Sequence, residues 1–538
     1  MPDPTETGRP GRASVLIVGY GPVGQLLSVL LAQYGHRVTV VERWPQAYAM
    51  PRAVAFDGES ARILAAAGVG DHIKSFAEPS GDYSWLSADG RELIHYEAHE
   101  TRGLSGWPDS TSMYQPGLEA ALIARGAELP NLRVVRGRRA VDLTEFSDPS
   151  GPGVELVAED DAGARSTFTA DWVVGCDGAN SFVRDRIGTD FTDLGFRHDW
   201  LICDVVPRPA REFRPNNLQI CDPARPRTSV SAGPGHRRWE FMRVAGETVA
   251  ELETPEAAWR LLEEFGVGPD NATLERYAVY TFEARHAHRW RAGRLLIAGD
   301  AAHLMPPFAA QGMSSGFRDA ANLAWKLHLV LTGLADERLL DTYTEERRKH
   351  VEHAIDMSVS LGRVICQTDP EAARERDELM LAMRHRAPAR AAQPSAVAQL
   401  TDGLLPDPAG AGSDALAGTL SPQARVVRGG EDGLFDSVAG TGFTLLAAKP
   451  VHELLDRTRL DVLRRLGVRA VRLLAAGTPA AAADGASVVD ADDVYLPYLS
   501  QHGVVAALIR PDFYVFGAAA DASRLAALVD DLRARLTG

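Results

Sequence analysis

Apolar and polar positions along the chain follow patterns that divide it into regions of different predicted structure. Over residues 15–189, short apolar strands alternate with helices that have one apolar face, which is typical of a parallel α/β sheet. Residues 190–285 instead contain short alternating segments separated by proline and glycine, a pattern that predicts an antiparallel sheet. The first pattern returns over residues 286–385 with long helices, so we expect the antiparallel sheet to be an insertion in the α/β domain.

The two ends of the chain have patterns of their own. Residues 1–14 are polar, contain no apolar segment and are expected to form a disordered N-terminus. Residues 386–418 are rich in alanine, proline and glycine, which is typical of a linker. Residues 419–538 contain further strand-like runs and a closing amphipathic helix, and they predict a separate small α/β domain.

Composition and charge exclude several classes of function. A chain of 538 residues is too long for one compact core, and its formal charge of −15 offers no basic surface for nucleic acid. No apolar run reaches the length of a membrane-spanning helix, so no membrane partner is expected. The cysteines form no Cys-x-x-Cys motif, which favours a reduced, cytoplasmic protein without disulfides. They are Cys176, Cys203, Cys221 and Cys366.

The first strand, turn and helix carry a chemical motif. An apolar strand leads into Gly19-x-Gly21-x-x-Gly24, and a second strand ends on Glu42, 18 residues after Gly24. Glycines at this spacing permit a tight turn, a close approach of the backbone to a pyrophosphate, and close helix–strand packing. The helix N-terminus offers N–H groups to the phosphates, and the Glu42 carboxylate can accept hydrogen bonds from ribose hydroxyls. The motif predicts an adenine dinucleotide site and leaves NAD and FAD both open.

Two later segments narrow the choice of cofactor. In residues 171–188 a strand ends in Asp177-Gly178, and in residues 293–327 a strand ends in Gly299-Asp300. A loop with two prolines then leads to Gly312-Met313 at the start of a long helix. With the glycine motif before them, these segments resemble the class A flavoprotein aromatic hydroxylases, which share the p-hydroxybenzoate hydroxylase-like fold. The resemblance implies that the dinucleotide is FAD, bound non-covalently.

Further segments extend the resemblance over nearly the whole chain, toward the 3-(3-hydroxyphenyl)propionate hydroxylases and the polyketide-tailoring hydroxylases of antibiotic biosynthesis. These segments are 51–53, 57–59, 115–119, 420–423 and 510–517. The resemblance implies an α/β fold with a discontinuous Rossmann-like FAD-binding domain, an inserted antiparallel-sheet substrate domain and a C-terminal thioredoxin-like α/β domain. That last domain lacks a Cys-x-x-Cys motif, because no cysteine follows Cys366, so it is expected to serve packing or dimerisation into a homodimer.

The resemblance also implies roles at the redox end of the FAD. Asp300 would hydrogen-bond the ribityl chain. The backbone N–H groups of Gly312, Met313 and Ser314 would meet the pyrimidine side of the isoalloxazine ring and stabilise negative charge on the reduced flavin. Many relatives have asparagine at the position of Ser314, so only its backbone contact is carried over. Pro307 would border the reaction pocket beside the flavin.

Further along the cofactor, Arg52 would contact the pyrophosphate of FAD or the incoming nicotinamide nucleotide. Arg52 and Pro307 are the predicted catalytic residues. Gln115 would contact the ribityl chain or a phosphate, and Asp177 belongs to a segment linked to both FAD and NAD(P)H. The predicted cofactor-binding residues are Gly19, Gly21, Pro22, Val23, Gly24, Glu42, Arg43, Arg52, Gln115, Asp177, Asp300, Pro307, Gly312, Met313 and Ser314.

The implied activity is that of an FAD-dependent monooxygenase. NADPH or NADH, as a transient co-substrate, would reduce the FAD, and O2 would form a C4a-hydroperoxyflavin that hydroxylates an aromatic, phenolic or polyketide-derived substrate. Residues 190–280 are expected to form most of the substrate cavity, with no single residue identified as a ligand. An epoxidase, a Baeyer–Villiger-type monooxygenase of the same fold and a redox-inert FAD-binding protein stay open as alternatives.

Three other motifs have simpler interpretations. Residues 312–316 match the Gly-x-Ser-x-Gly of serine hydrolases, but that motif needs a strand directly before its serine, and here the strand ends at Asp300. His303 could be catalytic, although a packing role in its loop is favoured. Two histidine pairs bring no convergent carboxylates or cysteines, so no metal site is predicted and they are interpreted as solvated surface residues. These pairs are His286 with His288 and His350 with His353.

Overall fold

The computed structural model describes residues 13–47, 52–97, 102–149, 151–386, 398–407, 415–479 and 483–537, so most of the predicted N-terminal lead and linker lies outside the described residues. Its strands are β1 (Ala13–Val18), β2 (Val38–Glu42), β3 (Ala55–Asp57), β4 (Ala77–Pro79), β5 (Tyr83–Ser87), β6 (Glu92–Tyr96), β7 (Ser110–Met113), β8 (Leu132–Arg136), β9 (Arg139–Asp148), β10 (Gly151–Glu159), β11 (Arg165–Gly175), β12 (Phe191–Pro207), β13 (Asn217–Cys221), β14 (Arg227–Ser231), β15 (Arg237–Met242), β16 (Ala272–Ala287), β17 (Arg291–Ala292), β18 (Leu295–Ile297), β19 (His303–Leu304), β20 (Arg425–Arg428), β21 (Glu431–Leu434), β22 (Thr444–Ala447), β23 (Arg469–Leu474), β24 (Ser487–Asp490), β25 (Ala506–Ile509) and β26 (Val515–Ala519).

The helices are α1 (Pro22–Gln33), α2 (Gly58–Ala66), α3 (Ile73–Phe76), α4 (Gln115–Ala127), α5 (Phe182–Ile187), α6 (Val249–Leu252), α7 (Pro255–Leu262), α8 (Gly312–Leu331), α9 (Asp341–Ile365), α10 (Pro370–Arg386), α11 (Phe435–Ala439), α12 (Val451–Leu454), α13 (Arg457–Arg465), α14 (Tyr495–Gln501) and α15 (Ala522–Thr537). Short 3-10 turns are formed by Gly70–His72, Glu263–Phe265, Gly299–Ala301, Pro307–Ala309 and Glu337–Leu340. Within the described ranges, every helix is too short or too polar to cross a membrane.

The first sheet is the α/β sheet that the sequence predicts. Its parallel strands follow the order β18-β11-β1-β2-β8, and the hairpin β9–β10 extends antiparallel from β11. The central strand β1 is buried almost completely, because apolar side chains cover both of its faces. Val18 pairs with Gly175, and Gly175 pairs with Ile297. The carboxyl ends of three strands therefore lie side by side, and the three sequence motifs that follow them meet there.

The second sheet is the predicted inserted sheet, in the order β19-β16-β12-β15-β14-β13-β5-β6. It also takes in β5 and β6, which precede the inserted segment by about a hundred residues in the sequence. Strand β5 runs parallel to β13 and continues the sheet beyond it. One face of this eight-stranded sheet is turned toward the carboxyl edge of the first sheet, so that the two sheets enclose a cavity.

The C-terminal region is a mixed sheet, in the order β21-β20-β24-β23-β22-β25-β26, with its own apolar cores. It is docked on the rest of the chain through buried charges. Arg510 forms ion pairs of 2.6 Å with both Asp512 and Glu346, and Lys326 lies 2.8 Å from Glu346. Because Glu346 and Lys326 belong to α9 and α8, this cluster joins the C-terminal region to the long helices.

Candidate functional site

Two glycines of the dinucleotide motif are required by close contacts. Gly19 has a φ of +99°, and a Cβ on it would lie 2.4 Å from the carbonyl oxygen of Cys176. A Cβ on Gly24 would lie 2.2 Å from the carbonyl oxygen of Gly19. Any side chain at either position would therefore force the turn and the neighbouring strand end apart.

Gly21, in contrast, lies on the cavity wall, and no atom lies within 4 Å of a Cβ placed on it. It is the N-cap of α1, which starts at Pro22 and has no side-chain cap. The first hydrogen bond of the helix is donated by Gln25 to Gly21, so the N–H groups of Val23 and Gly24 are not used within the helix. The positive end of the helix dipole therefore faces the cavity, which is the geometry that binds a phosphate.

Glu42 is held at the end of β2 by backbone hydrogen bonds. Its carboxylate accepts from the N–H groups of Tyr20 at 2.6 Å and Trp44 at 2.8 Å, and the residue is buried. A carboxylate has about four acceptor positions, so two such bonds fix its orientation and leave acceptor capacity for ribose hydroxyls. The next residue, Arg43, is exposed and its guanidinium lies over the Trp44 ring, away from the cavity wall.

Gln115 positions the loop that carries Arg52. Its side-chain oxygen accepts hydrogen bonds of 2.7 Å from the N–H groups of Arg52 and Ala53, and its amide nitrogen donates to Glu119 at 2.8 Å. Glu119 also accepts from Gln25 in α1, and burial raises the pKa of this carboxyl. This chain of contacts links the Arg52 loop to the phosphate-binding helix. Arg52 itself is exposed on the cavity wall.

Asp177 is turned away from the cavity wall. Its carboxylate accepts hydrogen bonds from the Ser181 hydroxyl and from the Val183 N–H, at the start of α5. Burial raises the pKa of Asp177, and these bonds oppose that rise. The adjacent Gly178 does line the cavity. Asp177 thus shapes the turn that brings Gly178 to the wall.

Asp300 lies in the 3-10 turn after β18, with its side chain exposed to the cavity. The cavity walls remove bulk water from around the carboxyl and raise its pKa. A fully buried network holds this turn: Asp319 accepts from the N–H of Gly299 at 3.0 Å, from His303 at 2.8 Å and from Arg347 at 2.8 Å. His303 does not line the cavity, which agrees with its packing interpretation.

Helix α8 presents its N-terminus to the same cavity. Gly312 and Met313 line the wall, and the N-cap Gln311 provides no side-chain cap. The first hydrogen bond of the helix is donated by Ser315 to Gln311, so three N–H groups at the N-terminus stay outside the helix ladder. The Ser314 side chain, in the first turn of the helix, is fully buried, and no strand directly precedes it. These residues therefore do not form the strand–turn–helix structure that the serine hydrolase motif needs.

The interpretation of two histidines as solvated surface residues is wrong. His286 and His350 are buried, and burial lowers the pKa of both. His350 contacts the Arg347 guanidinium and the carbonyl oxygen of Ala398. His350 lies on α9 and His286 on β16. The sequence pattern could not show which other segments pack against these two side chains. No group of three metal-ligating side chains occurs among the residues that the structure describes.

The cavity between the two sheets has a volume of about 1270 Å³. It runs from the start of α1 to the start of α8. The predicted residues that line it are Gly21, Pro22, Val23, Arg52, Gln115, Asp300, Pro307, Gly312 and Met313. The predicted residues that do not line it are Gly19, Gly24, Glu42, Arg43, Asp177 and Ser314. Two uncapped helix N-termini and a cavity-facing carboxylate fit the phosphates, the flavin ring and the ribityl chain of FAD.

Comparison with known proteins identifies the family. Residues 12–358 match the FAD binding domain family, and residues 418–535 match the HcaD C-terminal domain. The chain is 37% identical to the probable NADH-specific resorcinol 4-hydroxylase of Rhodococcus jostii (strain RHA1), over 96% of this chain and 94% of that protein. The chain belongs to the FAD-dependent aromatic hydroxylases.

Other similar proteins support the same assignment for this hydroxylase. It is 34% identical to the 3-(3-hydroxy-phenyl)propionate/3-hydroxycinnamic acid hydroxylase of Klebsiella pneumoniae (strain 342), over 94% of this chain and 91% of that protein. The flavin-dependent monooxygenase PieE, solved with FAD and substrate, has the same fold, with a TM-score of 0.79 at 22% identity over 98% of this chain and all of the other. The predicted fold, the choice of FAD over NAD, and the use of NAD(P)H are confirmed.

One wall of the cavity in this hydroxylase is formed by the second sheet, and its side chains are ones that the sequence did not single out. They form two rows across the strands. The first row is Ile202, Glu240, Thr228, Gln219 and Trp85, and the second is Arg238, Val230, Asn217 and Tyr83. The alternation of positions along each strand indicated which side chains share one face of the sheet. Which of the two faces borders the cavity depended on how the sheets pack.

The C-terminal domain of the hydroxylase also contributes to the wall. Thr419 and Leu420 line the cavity, and Leu420 forms a bridge with Tyr514 of the C-terminal sheet. Near the start of α8, Phe308 follows Pro307 and packs edge-on against Phe282, with ring centres 6.1 Å apart. The cavity is thus bounded by aromatic side chains at this end and by polar side chains on the sheet.

Proposed function

We propose that this hydroxylase inserts one oxygen atom into a neutral ring with two hydroxyl groups, of the resorcinol type, and that NADH is its reductant. The observation that carries the substrate class is the charge of the cavity wall. Six carboxylate side chains line it, of which Asp57 and Glu59 are ion-paired with Arg318, against two guanidinium groups, those of Arg52 and Arg238. Arg238 is already ion-paired with Asp204 at 2.7 Å. A substrate with its own carboxylate would face a wall of the same sign.

The polar row on the sheet suits hydroxyl groups. Thr228 on β14, and Gln219 and Asn217 on β13, present neutral polar side chains to the cavity, and Trp85 and Ile202 bound them with apolar surface. A small ring with two hydroxyls can satisfy such a wall without a buried unpaired charge. The similarity to a probable NADH-specific resorcinol 4-hydroxylase supports both the substrate class and the nucleotide.

We further propose that the pyrophosphate of FAD binds at the N-terminus of α1, that Glu42 takes the ribose hydroxyls and that Asp300 takes the ribityl chain. The N-terminus of α8 would then meet the pyrimidine edge of the ring. When bound, the flavin supplies the redox chemistry, in which NADH reduces it and O2 provides the inserted oxygen atom. The protein orients the phenol against the ring and excludes water.

The test compares two phenols with the FAD-loaded protein. We expect resorcinol to stimulate NADH oxidation and to yield a product heavier by one oxygen atom, with at least a tenfold higher kcat/KM than 3-(3-hydroxyphenyl)propionate. NADPH at the same concentration should give a much lower rate. A preference for the carboxylate-bearing phenol, or NADH oxidation that releases only peroxide with both, would contradict the proposal.

A further inference from the structure

Glu240 is a charged side chain on the cavity face of the second sheet, and no sequence motif assigns it a role. It pairs with Ile202 on β12 and with Thr228 on β14, both of which also line the cavity. Its side chain is about nine-tenths buried, so the carboxylate opens on the cavity and not on bulk water. A buried carboxylate of this kind needs a hydrogen-bond donor.

The neighbours of Glu240 are engaged with other groups. The Thr228 hydroxyl donates to Gln219 at 2.8 Å, and the Gln219 amide donates to the carbonyl oxygen of Arg227 at 3.0 Å. Arg238 donates to Asp204 through two nitrogens, at 2.7 and 3.0 Å, and its nearest nitrogen is 4.0 Å from Glu240. Across the described part of the chain, no side chain or backbone group donates a hydrogen bond to the Glu240 carboxylate.

We propose that the Glu240 carboxylate accepts the hydrogen bond, and then the proton, of a ring hydroxyl group of the substrate. In this step the hydroxyl O–H bond breaks, the proton moves to an oxygen of Glu240, and the electron pair stays on the substrate as a phenolate. The inference rests on the proposed function, because it requires a phenol in the cavity. Oxygen transfer to a ring carbon is easier from a phenolate, because the ring is richer in electrons.

The electrostatic surroundings favour this role. Burial raises the pKa of Glu240 to about 7, a rise that Arg238 opposes and Asp204 reinforces. The titratable and charged side chains around it are Arg238 on its own strand, Asp204 and Cys203 on β12, and Tyr83 on β5. A base is most effective when its pKa approaches that of the group it deprotonates, and a phenol lies near 10. The raised pKa of Glu240 therefore lies closer to the pKa of a phenol, and the carboxylate is still ionised above about pH 7.

The experiment uses the FAD-loaded full chain, resorcinol as the probe, and two variants. Glu240→Gln keeps the shape of the side chain but cannot take the proton. Glu275→Gln is the matched control, because Glu275 is exposed on strand β16 of the same sheet and does not line the cavity. FAD content and Tm report whether each variant is folded. Glu240→Asp, which retracts the carboxylate, serves as a second variant if Glu240→Gln loses FAD.

We expect resorcinol to bind wild-type protein more tightly, and to be hydroxylated faster, as pH rises through about 7, because the ionised Glu240 carboxylate can then accept the hydrogen bond and the proton. Glu240→Gln should lack this pH dependence, and its hydroxylation rate at neutral pH should fall on the order of a hundredfold. The deficit should shrink toward pH 10, where resorcinol ionises unaided. Glu275→Gln should behave as wild type.

The outcomes separate the two proposals. An unchanged rate and pH profile in Glu240→Gln overturns the role of Glu240 and leaves the proposed function standing. Resorcinol binding whose pH dependence is lost in Glu240→Gln, without any hydroxylated product from wild type, overturns the proposed function and leaves the role of Glu240 as acceptor standing. Wild-type binding and rate that do not change through pH 7 overturn the role of Glu240.

Discussion

The three glycines of the motif meet two different demands. Gly19 and Gly24 are required by protein atoms that lie 2.4 and 2.2 Å from where a Cβ would be. Gly21 has an extended backbone with φ of −77° and open space toward the cavity. Two of the glycines are therefore required by the fold, whereas the third leaves the space that we propose for a phosphate of the cofactor.

This difference predicts opposite effects for two substitutions. Gly21→Ala should leave the Tm of the FAD-free protein within about 2 °C of wild type, because its backbone suits alanine, but weaken FAD binding at least tenfold, because the methyl group enters the phosphate site. Gly19→Ala should lower the Tm of the FAD-free protein itself. Thermal unfolding and fluorescence titration with FAD measure both. Equal losses of Tm in the two variants would contradict this division of roles.

At the scale of elements, the two long helices α1 and α8 act through their N-termini. Each starts without a side-chain cap, and each starts at the cavity wall. Uncapped N–H groups are costly when buried, so a helix start of this kind indicates a ligand that accepts hydrogen bonds. For binding such a ligand, the backbone N–H groups of the first turn are expected to matter more than its side chains.

At the start of α8, a substitution of Ser314 separates the side chain from the backbone N–H group. Its hydroxyl is fully buried and has no hydrogen-bond partner within the described residues, while its N–H lies in the first turn. Ser314→Ala should therefore bind FAD within about twofold of wild type and keep its hydroxylation rate, as measured by fluorescence titration and product formation. A tenfold loss of FAD affinity would show that the side chain contacts the cofactor after all.

At the scale of the whole molecule, the C-terminal domain is attached by a buried charge cluster. Glu346 is fully buried; its carboxylate accepts from Arg510 at 2.6 Å and from the N–H of Leu404 at 2.8 Å, and forms an ion pair with Lys326. Burial opposes its ionisation, but Arg510 and Lys326 outweigh this and lower its pKa to about 2. Since the same domain contributes Leu420 to the cavity wall, docking and the site are coupled.

Glu346→Gln should destabilise the protein by about 3–5 kcal/mol at neutral pH, because it removes the carboxylate paired with the buried Lys326 and leaves Arg510 with Asp512 alone. The carboxylate contribution is present above its ordinary pKa of about 4.5 and is lost as pH falls toward about 2. The difference between variant and wild type should therefore shrink over that acid range. Urea unfolding at several pH values measures it, with Glu345→Gln, an exposed neighbour, as the control. A constant difference from pH 7 to pH 2 would contradict the ion-pair explanation.

Much of the fold was predictable because hydrophobic periodicity is local. The buried run of β1 and the alternation from 190 to 285 each identify their element without knowledge of its neighbours. The sequence did not reveal that β5 and β6 complete the second sheet, nor the strands β20, β21 and β24 of the C-terminal sheet. Strand pairing between distant segments depends on hydrogen bonds that no short window of sequence contains.

The candidate site, like the fold, could be predicted from the sequence only in part. Backbone motifs such as Gly19-x-Gly21-x-x-Gly24 and Gly312-Met313 have fixed spacing, because the turn and helix geometry that they need is local. Together with Asp177-Gly178 and Gly299-Asp300 they carry the resemblance that identified FAD from the sequence. The contacts of side chains depended on tertiary structure. Packing turned the Asp177 carboxylate onto α5, buried His350, and placed Glu240 on the cavity face of the second sheet. Whether a polar side chain meets a ligand, a partner or water is decided by what the folded chain places opposite it.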